Sequence, residues 1–492
     1  MVFTAPSPFV RNWKFPHILS FLGVISLGFS SSLEADRLPN ALAQLYQTSA
    51  SLAAAQANLK AIDELAAQAR AAWLPQASFV SSVDQEARHS TVGSDVPGTP
   101  QSVHRTGTSN NLEILQNVYQ AGATEANDQM KRAEIQAMTA QYQATEQKII
   151  LEAIKIYLNV LETQRALELA LKNEKALKTQ LEQGKARFEL GDLTLTDISQ
   201  IEARFSRATA DRIAAENALE SAQSDYIAAF GEFPTHLSFA HPPQFLPKTK
   251  AEALEISLQK NPDFLKTQYD EIASKENITI VKSGILPSVD LKFNLSRDSN
   301  TDSWNASGRT YDAKAMASLK VPLDITGGGQ SKVREARQKA SSARLAKIAT
   351  RSTIEADTAK KMDALDAAEA QIKRYKEEVK ATETAQKGMA LEEELGTRTM
   401  TDRLNAEAEH YTAQVELLKA QIKALVAHYE LLATLGELTP GRLELPTTGY
   451  NPQLHQAEVD SDVFSTSINE SPILLEEQKI GKSVDEALEE VP

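Results

Sequence analysis

"LGTRTMTDRLNAEAE", from Leu395 to Glu409, places a Gly-Thr-Arg-Thr break between two long, polar, alanine-rich stretches. "LGDLTLTDISQIEA", from Leu190 to Ala203, has the same plan, and adding 205 to its residue numbers superposes the two. In each, a glycine suited to end a helix is followed by a Thr-x-x-Asp pattern suited to start another. We therefore predict two tight helical hairpins. Taken alone, such a break is equally a plain helix–helix corner without a function.

Other landmarks recur in the same order. "WLPQASF" and "ILPSVDL" place Pro75 and Pro287 where helical chain becomes extended, because the residue before a proline avoids the helical region. The repetition predicts two tandem halves, at 33–236 and 237–440. An acidic tail at 441–492 follows, and we expect it either to be disordered or to wrap around the middle of the molecule.

Apolar and polar residues alternate with period two after each Leu-Pro, which is typical of β-strands. The pattern is clearest at Ser288–Ser296 and Ala313–Val321, with a polar loop predicted at Arg297–Asp312 between them. In the first half the corresponding strands are predicted near Gln76–Val83 and Asn111–Tyr119.

Long helices precede and follow these strands along the sequence. We predict helices at Asn40–Ala72 and Ala251–Ser283 before the strands, and much longer ones at Ala123–Glu189 and Gln330–Glu394 after them. At 1.5 Å per residue, each of the longer helices spans about 100 Å. A helix of that length cannot bury itself in a compact domain, so we predict a mostly α fold with a small β part.

The four strands have faces of opposite polarity, so one face can meet lipid and the other water. Four strands cannot close a barrel, and an open strand edge does not persist in a membrane. Three chains would supply twelve strands. A small soluble β-sheet is the alternative interpretation.

The bulk composition excludes several classes. The chain has 492 residues, no cysteine and a net charge of −14, which argues against disulfide scaffolds, Cys-ligated zinc sites and nucleic-acid partners. Residues 1–32 carry Arg11 and Lys14 before a short apolar run, which predicts a secretory signal peptide. A buried N-terminal helix is the alternative. No catalytic or phosphate-binding motif is present, so we predict no enzyme activity, no metal site and no cofactor.

The duplicated half, the two Leu-Pro turns and "VPLDITGGGQSKVREA" (321–336) together resemble the TolC family of outer-membrane channel proteins over residues 39–440. The stretch from Leu395 to Glu409 is the most specific match, since it is close to the second tip motif of that family. The resemblance implies a homotrimer with a twelve-stranded barrel in the outer membrane and an α-helical barrel across the periplasm. Its implied partners are a periplasmic adaptor protein and an inner-membrane ABC or proton-driven transporter.

The resemblance also implies roles for residues at the two tips. The turns that engage the adaptor would be Leu190, Gly191, Asp192, Leu395, Gly396 and Thr397. The periplasmic gate or latch would comprise Thr196, Asp197, Arg398, Asp402 and Asn405, with Arg398 reaching towards Thr196 and Asp197 of a neighbouring hairpin and Asp402 in an acidic ring. Without the resemblance, Arg398 and Asp402 are an ordinary solvated pair at a helix start.

Three positions depart from the family pattern. Asn405 replaces an aspartate, Glu393 replaces a latch tyrosine, and Asp192 changes the first tip, so latching and adaptor preference are expected to differ. The resulting hypothesis is a passive outer-membrane exit duct of a tripartite efflux pump or type I secretion system. A periplasmic coiled-coil scaffold or adaptor is the alternative.

Overall fold

The structure is a computed structural model, and it describes residues 38–89, 102–234, 237–239, 246–302, 308–446 and 449–461. The predicted signal peptide at 1–32 lies outside the described residues.

Helices and strands follow in the same order in both halves of the chain. The first half contains α1 (Leu38–Thr48), α2 (Ala50–Asp63), α3 (Leu65–Ala71), β1 (Gln76–His89), β2 (Ser102–Tyr119), α4 (Ala123–Glu189) and α5 (Leu195–Phe230). The second half contains α6 (Lys250–Lys260), α7 (Pro262–Ser283), β3 (Ser288–Asp302), β4 (Gly308–Lys320), α8 (Gly328–Glu394) and α9 (Met400–Leu435), and α10 (Pro452–Ser461) follows in the tail. Helices α4 and α8 have 67 residues each, and α5 and α9 have 36 each.

The long helices confirm the sequence prediction. Helix α4 has the predicted bounds, and α8 starts two residues before the predicted Gln330 and ends at the predicted Glu394. Both are polar on most of their surface. Many of their apolar residues pack on neighbouring helices, and a few, such as Leu345 and Ile348 of α8, are exposed. Within the part of the chain that the structure describes, no helix carries an apolar stretch long enough to cross a membrane.

The helices before the strands were predicted as single, at 40–72 and 251–283, and this is wrong because each is interrupted. Ser49 caps α2, and Asn261 caps α7 by accepting hydrogen bonds from two backbone N–H groups at 3.0 and 3.2 Å. Pro262 is the first residue of α7, where its missing N–H would have had no helical partner. The capping side chains make these two interruptions inexpensive, whereas a third, at Glu64 between α2 and α3, has no side-chain cap.

The strands form one antiparallel sheet in the order β1-β2-β3-β4, which leaves β1 and β4 as its edges. The polar loop predicted at 297–312 is wrong over most of its length, since β3 continues to Asp302 and β4 begins at Gly308. Backbone pairing holds these extensions although both of their faces are polar. They therefore lack the alternation that reveals a strand in a sequence.

The two faces of the sheet differ sharply in polarity. The register places apolar side chains in rows across all four strands, for example Ala77, Ile114, Phe293 and Ala315, then Phe79, Leu112, Leu295 and Ala313. The opposite face has rows such as Ser78, Glu113, Asn294 and Lys314. On that face Lys292 forms an ion pair with Glu113 at 2.7 Å.

Exposed tyrosines bound the apolar face at both ends. Tyr119, 54% exposed, pairs with Val289, and Tyr311, 66% exposed, pairs with Arg297. The nine residues of β3 from Val289 to Arg297 span about 26 Å along the strand. A membrane-spanning β-strand, tilted by about 45°, has about 9–11 residues, and the lipid-facing band of a barrel carries aromatic residues at both borders. The sheet thus has the dimensions of a barrel wall.

The main core of the helical part lies where α1, α4, α5 and α9 meet. Tyr157, Leu158, Phe230 and Leu432 are buried there, and the Tyr157 hydroxyl donates a hydrogen bond to the carbonyl oxygen of Ser238 at 2.9 Å. Each fully buried side chain of this size stabilises the fold by roughly 1.5–3 kcal/mol. This core joins the two halves of the chain into one unit.

Part of the tail, predicted to be either disordered or wrapped around the middle, forms helix α10, which packs on α2 and α3. His455 and Gln456 contact the fully buried carboxylate of Asp63 at 3.0 and 3.1 Å. The aromatic ring of Tyr450, which also lies in the tail, packs edge-on against the ring of Tyr142. Residues 462–492 lie outside the described residues.

Neighbouring residues of β3 on opposite faces allow a direct test of which face meets lipid. Phe293→Arg places a charge in the middle of the apolar face, where an arginine in a membrane barrel costs about 2–4 kcal/mol. We expect a sharp loss of folded protein in outer-membrane fractions and a lower free energy of unfolding in lipid vesicles. Asn294→Arg, on the polar face, is the matched control and is expected to assemble normally. Equal tolerance of both variants would contradict a lipid-facing sheet.

Candidate gate at the hairpin tips

Both long helices end in the same backbone motif. Gly191 and Gly396 adopt φ of 84° and 74°, a left-handed conformation that glycine accepts without strain. The next N–H groups, of Asp192 and Thr397, donate to the carbonyl oxygens of Arg187 and Glu392, both at 2.9 Å. These bonds satisfy carbonyl groups that the helix end leaves without partners. The predicted helix stops are therefore confirmed.

The return helices begin with the predicted capping boxes. In the first tip, the backbone N–H of Thr194 donates to Asp197 at 3.0 Å, and the N–H of Asp197 donates to the Thr194 hydroxyl at 3.2 Å. Thr399 and Asp402 repeat this arrangement. Hydrogen bonds from the threonine side chain and backbone lower the pKa of each aspartate. Both carboxylates are thus charged at neutral pH, and each stabilises the start of its own helix.

Large apolar side chains project from the tips. Leu190 and Leu395 are each 79% exposed, at equivalent positions of the two turns. Leu195 and Leu391 beside them are also exposed. Exposed leucines at the ends of two rigid hairpins are suited to contact another protein.

A buried charge network joins the two hairpins just above the tips. Glu393 of α8, only 5% exposed, accepts hydrogen bonds from Arg187 of α4 at 2.8 Å and from Arg403 of α9 at 3.1 Å. Arg403 also pairs with Glu407 at 3.2 Å, and Gln180 of α4 donates to the same glutamate. Three helices from both halves of the chain therefore meet at one carboxylate.

The charge state of Glu393 depends on its two arginines. Burial alone would raise the pKa of this carboxyl, but hydrogen bonds from Arg187 and Arg403 and their positive charges outweigh burial and hold the pKa below its ordinary value. The group is ionised at neutral pH and depends on both partners. Removing one member of such a network leaves a buried charge without compensation.

Other predicted gate residues lie at the exposed rim. Within one chain, Arg398 pairs with Glu392 of its own turn at 3.0 Å, and both side chains are half exposed. Asn405 accepts a hydrogen bond from Arg204 of α5 at 2.9 Å. Three residues beyond Asp197 of the predicted gate, α5 takes part in a second link, since Thr401 donates to Gln200 at 2.5 Å. Asn405 thus joins the hairpins, whereas the ion pair of Arg398 lies within its own hairpin.

The buried network was not predicted as a unit. Glu393 stands among three consecutive glutamates, and the sequence does not indicate which of them faces inward. Arg187 and Arg403 occupy non-equivalent positions of the two halves, so the repeat offered no signal either. These side chains come together because α4 and α8 both pack on α9.

Replacing Glu393 tests the network. Glu393→Gln removes the anion that Arg187 and Arg403 share, and we expect the free energy of unfolding at pH 7 to fall by about 1–3 kcal/mol. Because the folded-state pKa lies below the unfolded one, the stabilisation is complete above the ordinary carboxyl pKa of about 4.3 and is lost as pH falls through the folded-state value. The difference between wild type and variant should therefore vanish in acid. Thermal unfolding in detergent across this pH range measures it.

Glu394→Gln is the matched control, because Glu394 is exposed and adjacent. Its free energy of unfolding is expected to stay within about 0.5 kcal/mol of wild type. Equal effects of the two substitutions at pH 7 would show that the buried carboxylate has no special role.

The chain is similar to known proteins over most of its length. Residues 41–232 and 253–437 match the family "Outer membrane efflux protein". The outer membrane efflux protein BepC of Brucella suis biovar 1 is 25% identical over 429 residues, 87% of this chain and 91% of BepC. Outer membrane protein TolC of Vibrio cholerae is 27% identical over 420 residues, 83% of this chain and 93% of that protein. The crystal structure of VceC from Vibrio cholerae aligns with a TM-score of 0.69 at 19% identity, covering 81% of this chain and 96% of that one.

These similarities confirm the predicted resemblance and the mostly helical fold of two tandem repeats with a small sheet. They also confirm the predicted location in the outer membrane, extending into the periplasm, and the prediction that the chain is not an enzyme. The two matched stretches together cover well over half of the chain, one in each half. The chain belongs to the outer membrane efflux protein family.

Proposed function

We propose that three copies of this chain form a passive channel, the outer-membrane exit duct of a tripartite efflux pump or a type I secretion system. The sheet carries the proposal, because it combines one apolar face with two edges that no other described strand pairs with. Backbone groups at an edge find no water in lipid and must be paired by another strand. Eight strands leave an interior filled by side chains, whereas the twelve strands of three copies leave room for an aqueous lumen.

The helices would extend this lumen through the periplasm. Helices α4 and α8, each about 100 Å long, descend from the sheet and are polar on most sides, as the wall of a water-filled tube requires. The two repeats, proposed at 33–236 and 237–440, each contribute one long hairpin. Three copies would then contribute six hairpins to the tube.

The tips would be the docking points for a periplasmic adaptor protein. The exposed leucines support this assignment, and the proposed contact residues are Leu190, Gly191, Asp192, Leu395, Gly396 and Thr397. An inner-membrane ABC or proton-driven transporter would supply the energy, since the sequence offers no site for chemistry. BepC and TolC, which align with most of this chain, are by name outer-membrane proteins, and BepC is an efflux protein.

The gate would depend on two layers of polar contacts. We assign the buried Glu393 network to holding the two hairpins of one chain together. The outer rim, with Thr196, Asp197, Arg398, Asp402 and Asn405, would face the other copies. Three Asp402 carboxylates around one axis would repel each other and attract cations.

Cell fractionation tests the proposed function. An outer-membrane trimer that converts to monomer on heating, and that conducts ions in planar bilayers, is expected. A soluble periplasmic protein would instead support a coiled-coil scaffold or adaptor. The exposed apolar face of the sheet argues against that alternative, because soluble proteins rarely leave so large an apolar surface uncovered.

Single-channel conductance separates the two layers of the gate. Arg403→Ser removes a partner of both Glu393 and Glu407, so we expect a loosened tip and a raised conductance. Arg398→Ser breaks only an exposed pair, worth about 1 kcal/mol or less within one chain, and is expected to open the channel less. The reverse order would place the latch at the rim between copies and not in the buried network.

A further inference from the structure

The two repeats differ in charge where their long helices leave the sheet. The first 24 residues of α8, Gly328–Arg351, contain seven lysines and arginines and one acidic residue, a net charge of +6. The first 24 residues of α4, Ala123–Glu146, contain two basic and four acidic residues, a net charge of −2. Equivalent segments of one duplicated fold thus carry opposite charge, in a chain whose total is −14.

In this first part of α8, the basic side chains outnumber the ion pairs that they form with other described residues. Lys339, Lys347 and Arg351 pair with glutamates. Four exposed side chains of this segment form no ion pair in the described ranges, namely Lys332, Arg334, Arg337 and Arg344. Helical spacing places the three arginines on one side of α8, and we call these three the basic surface. Four unpaired cations on one short segment repel each other unless an anionic partner covers them.

The position of the basic surface indicates what lies beside it in a closed ring. Helix α3 leads into β1 and α8 follows β4, so these two helices stand at opposite lateral edges of one copy. Within the chain α8 packs on α6, α7 and α9, whereas α2 and α3 pack on α4. When copies close a ring edge to edge, α8 of one copy therefore lies next to α2 and α3 of the next.

The heights of these elements also match. Gly329 lies against Ile285 at the end of α7, and the repeat makes Ile285 equivalent to Trp73 at the end of α3. Asp63 precedes Trp73 by ten residues, and Lys339 follows Gly329 by ten, so each lies about 15 Å below the sheet. The basic surface is thus level with the site where Asp63 holds α10.

Helix α10 begins the acidic end of the chain. Residues 452–492 contain ten acidic and two basic residues, a net charge of −8. Contacts of His455 and Gln456 with the buried Asp63 fix the start of this stretch on the edge that faces the next copy. The 31 residues after Ser461 are long enough to reach across a contact between copies.

We propose that the acidic C-terminal stretch of one copy, residues 452–492, binds the basic surface on α8 of the neighbouring copy. This inference rests on the proposed trimer and adds a partner for each seam between copies. The stretch would act as a strap just below the membrane, with Asp63 as its anchor. The start of α4 has no equivalent basic surface. Binding of the strap to α8 alone would therefore explain why the starts of the two long helices carry opposite charge.

Cross-linking tests the strap against a clean background, because the chain contains no cysteine. Ser341→Cys, on the exposed side of α8 between Arg337 and Arg344, is combined with Ser467→Cys in the tail. A short bismaleimide applied to the detergent-extracted full-length protein is expected to yield covalent dimers and trimers on denaturing gels. Gln136→Cys, the equivalent exposed position of α4, replaces Ser341→Cys in the matched control and should yield none.

The cross-linking results test the strap and the proposed channel separately. An intact trimer whose cross-link forms within a single chain, or equally with Gln136→Cys, would overturn the strap and leave the channel standing. A protein that is monomeric after extraction would overturn the channel as well.

Charge removal provides a second, independent measurement. Replacing Arg334, Arg337 and Arg344 by glutamine is expected to lower the temperature at which the trimer dissociates in detergent, and removing residues 462–492 is expected to do the same. The two changes together should do little more than either alone, because they break one contact. Glutamine at Lys373, Lys376 and Lys380, far along α8, is the matched control. The strap would be overturned if the arginine substitutions lowered the dissociation temperature as much in the chain without residues 462–492 as in the full-length chain. Mass spectrometry of retained phospholipid would then identify anionic lipid as the occupant.

Discussion

The structure depends on one constraint, which is that a polypeptide backbone in lipid must have all its N–H and C=O groups hydrogen-bonded. Strands β2 and β3 meet this requirement inside one chain, whereas β1 and β4 each leave one side unpaired among the described residues. The apolar face of the sheet places these edges where water is absent. Within the described ranges, a single chain therefore lacks partner strands for the two edges of its sheet. Its other features are explained if several copies form a ring.

The two repeats give each chain two wall segments of the same dimensions. Each supplies one strand hairpin and one helical hairpin, with long helices of 67 residues and return helices of 36 residues in both halves. Equal lengths bring both tips to the same level, so that a partner can engage them together. The repeats then diverge where their surroundings differ, as in the basic start of α8 and the inward-facing Glu393. Similar geometry with different side chains lets one fold form both the wall and its contacts.

The sequence predicted much of this fold because local rules decide it. A positive-φ glycine and a Thr-x-x-Asp box specify each tip, and the uninterrupted polar pattern specifies α4 to the residue. The interruptions at Ser49 and Asn261 were missed because capping side chains also occur inside helices. The strand extensions beyond Arg297 were missed because both faces are polar there. The resemblance pointed to Glu393 as a latch position, but its burial and its two arginine partners were not foreseen, since they depend on the packing of α4 and α8 on α9. For the same reason the partner of Arg398 within the chain, Glu392, was not foreseen.

Hydrogen exchange of the edge strands tests the central claim most directly. In the protein extracted from outer membranes, the backbone amides of β1 and β4 should be protected as strongly as those of β2 and β3, because strands of neighbouring copies pair with them. Rapid exchange confined to the outward-facing amides of β1 and β4 would reveal open edges. That result would contradict a closed barrel and, with it, the account of this chain as one third of a channel.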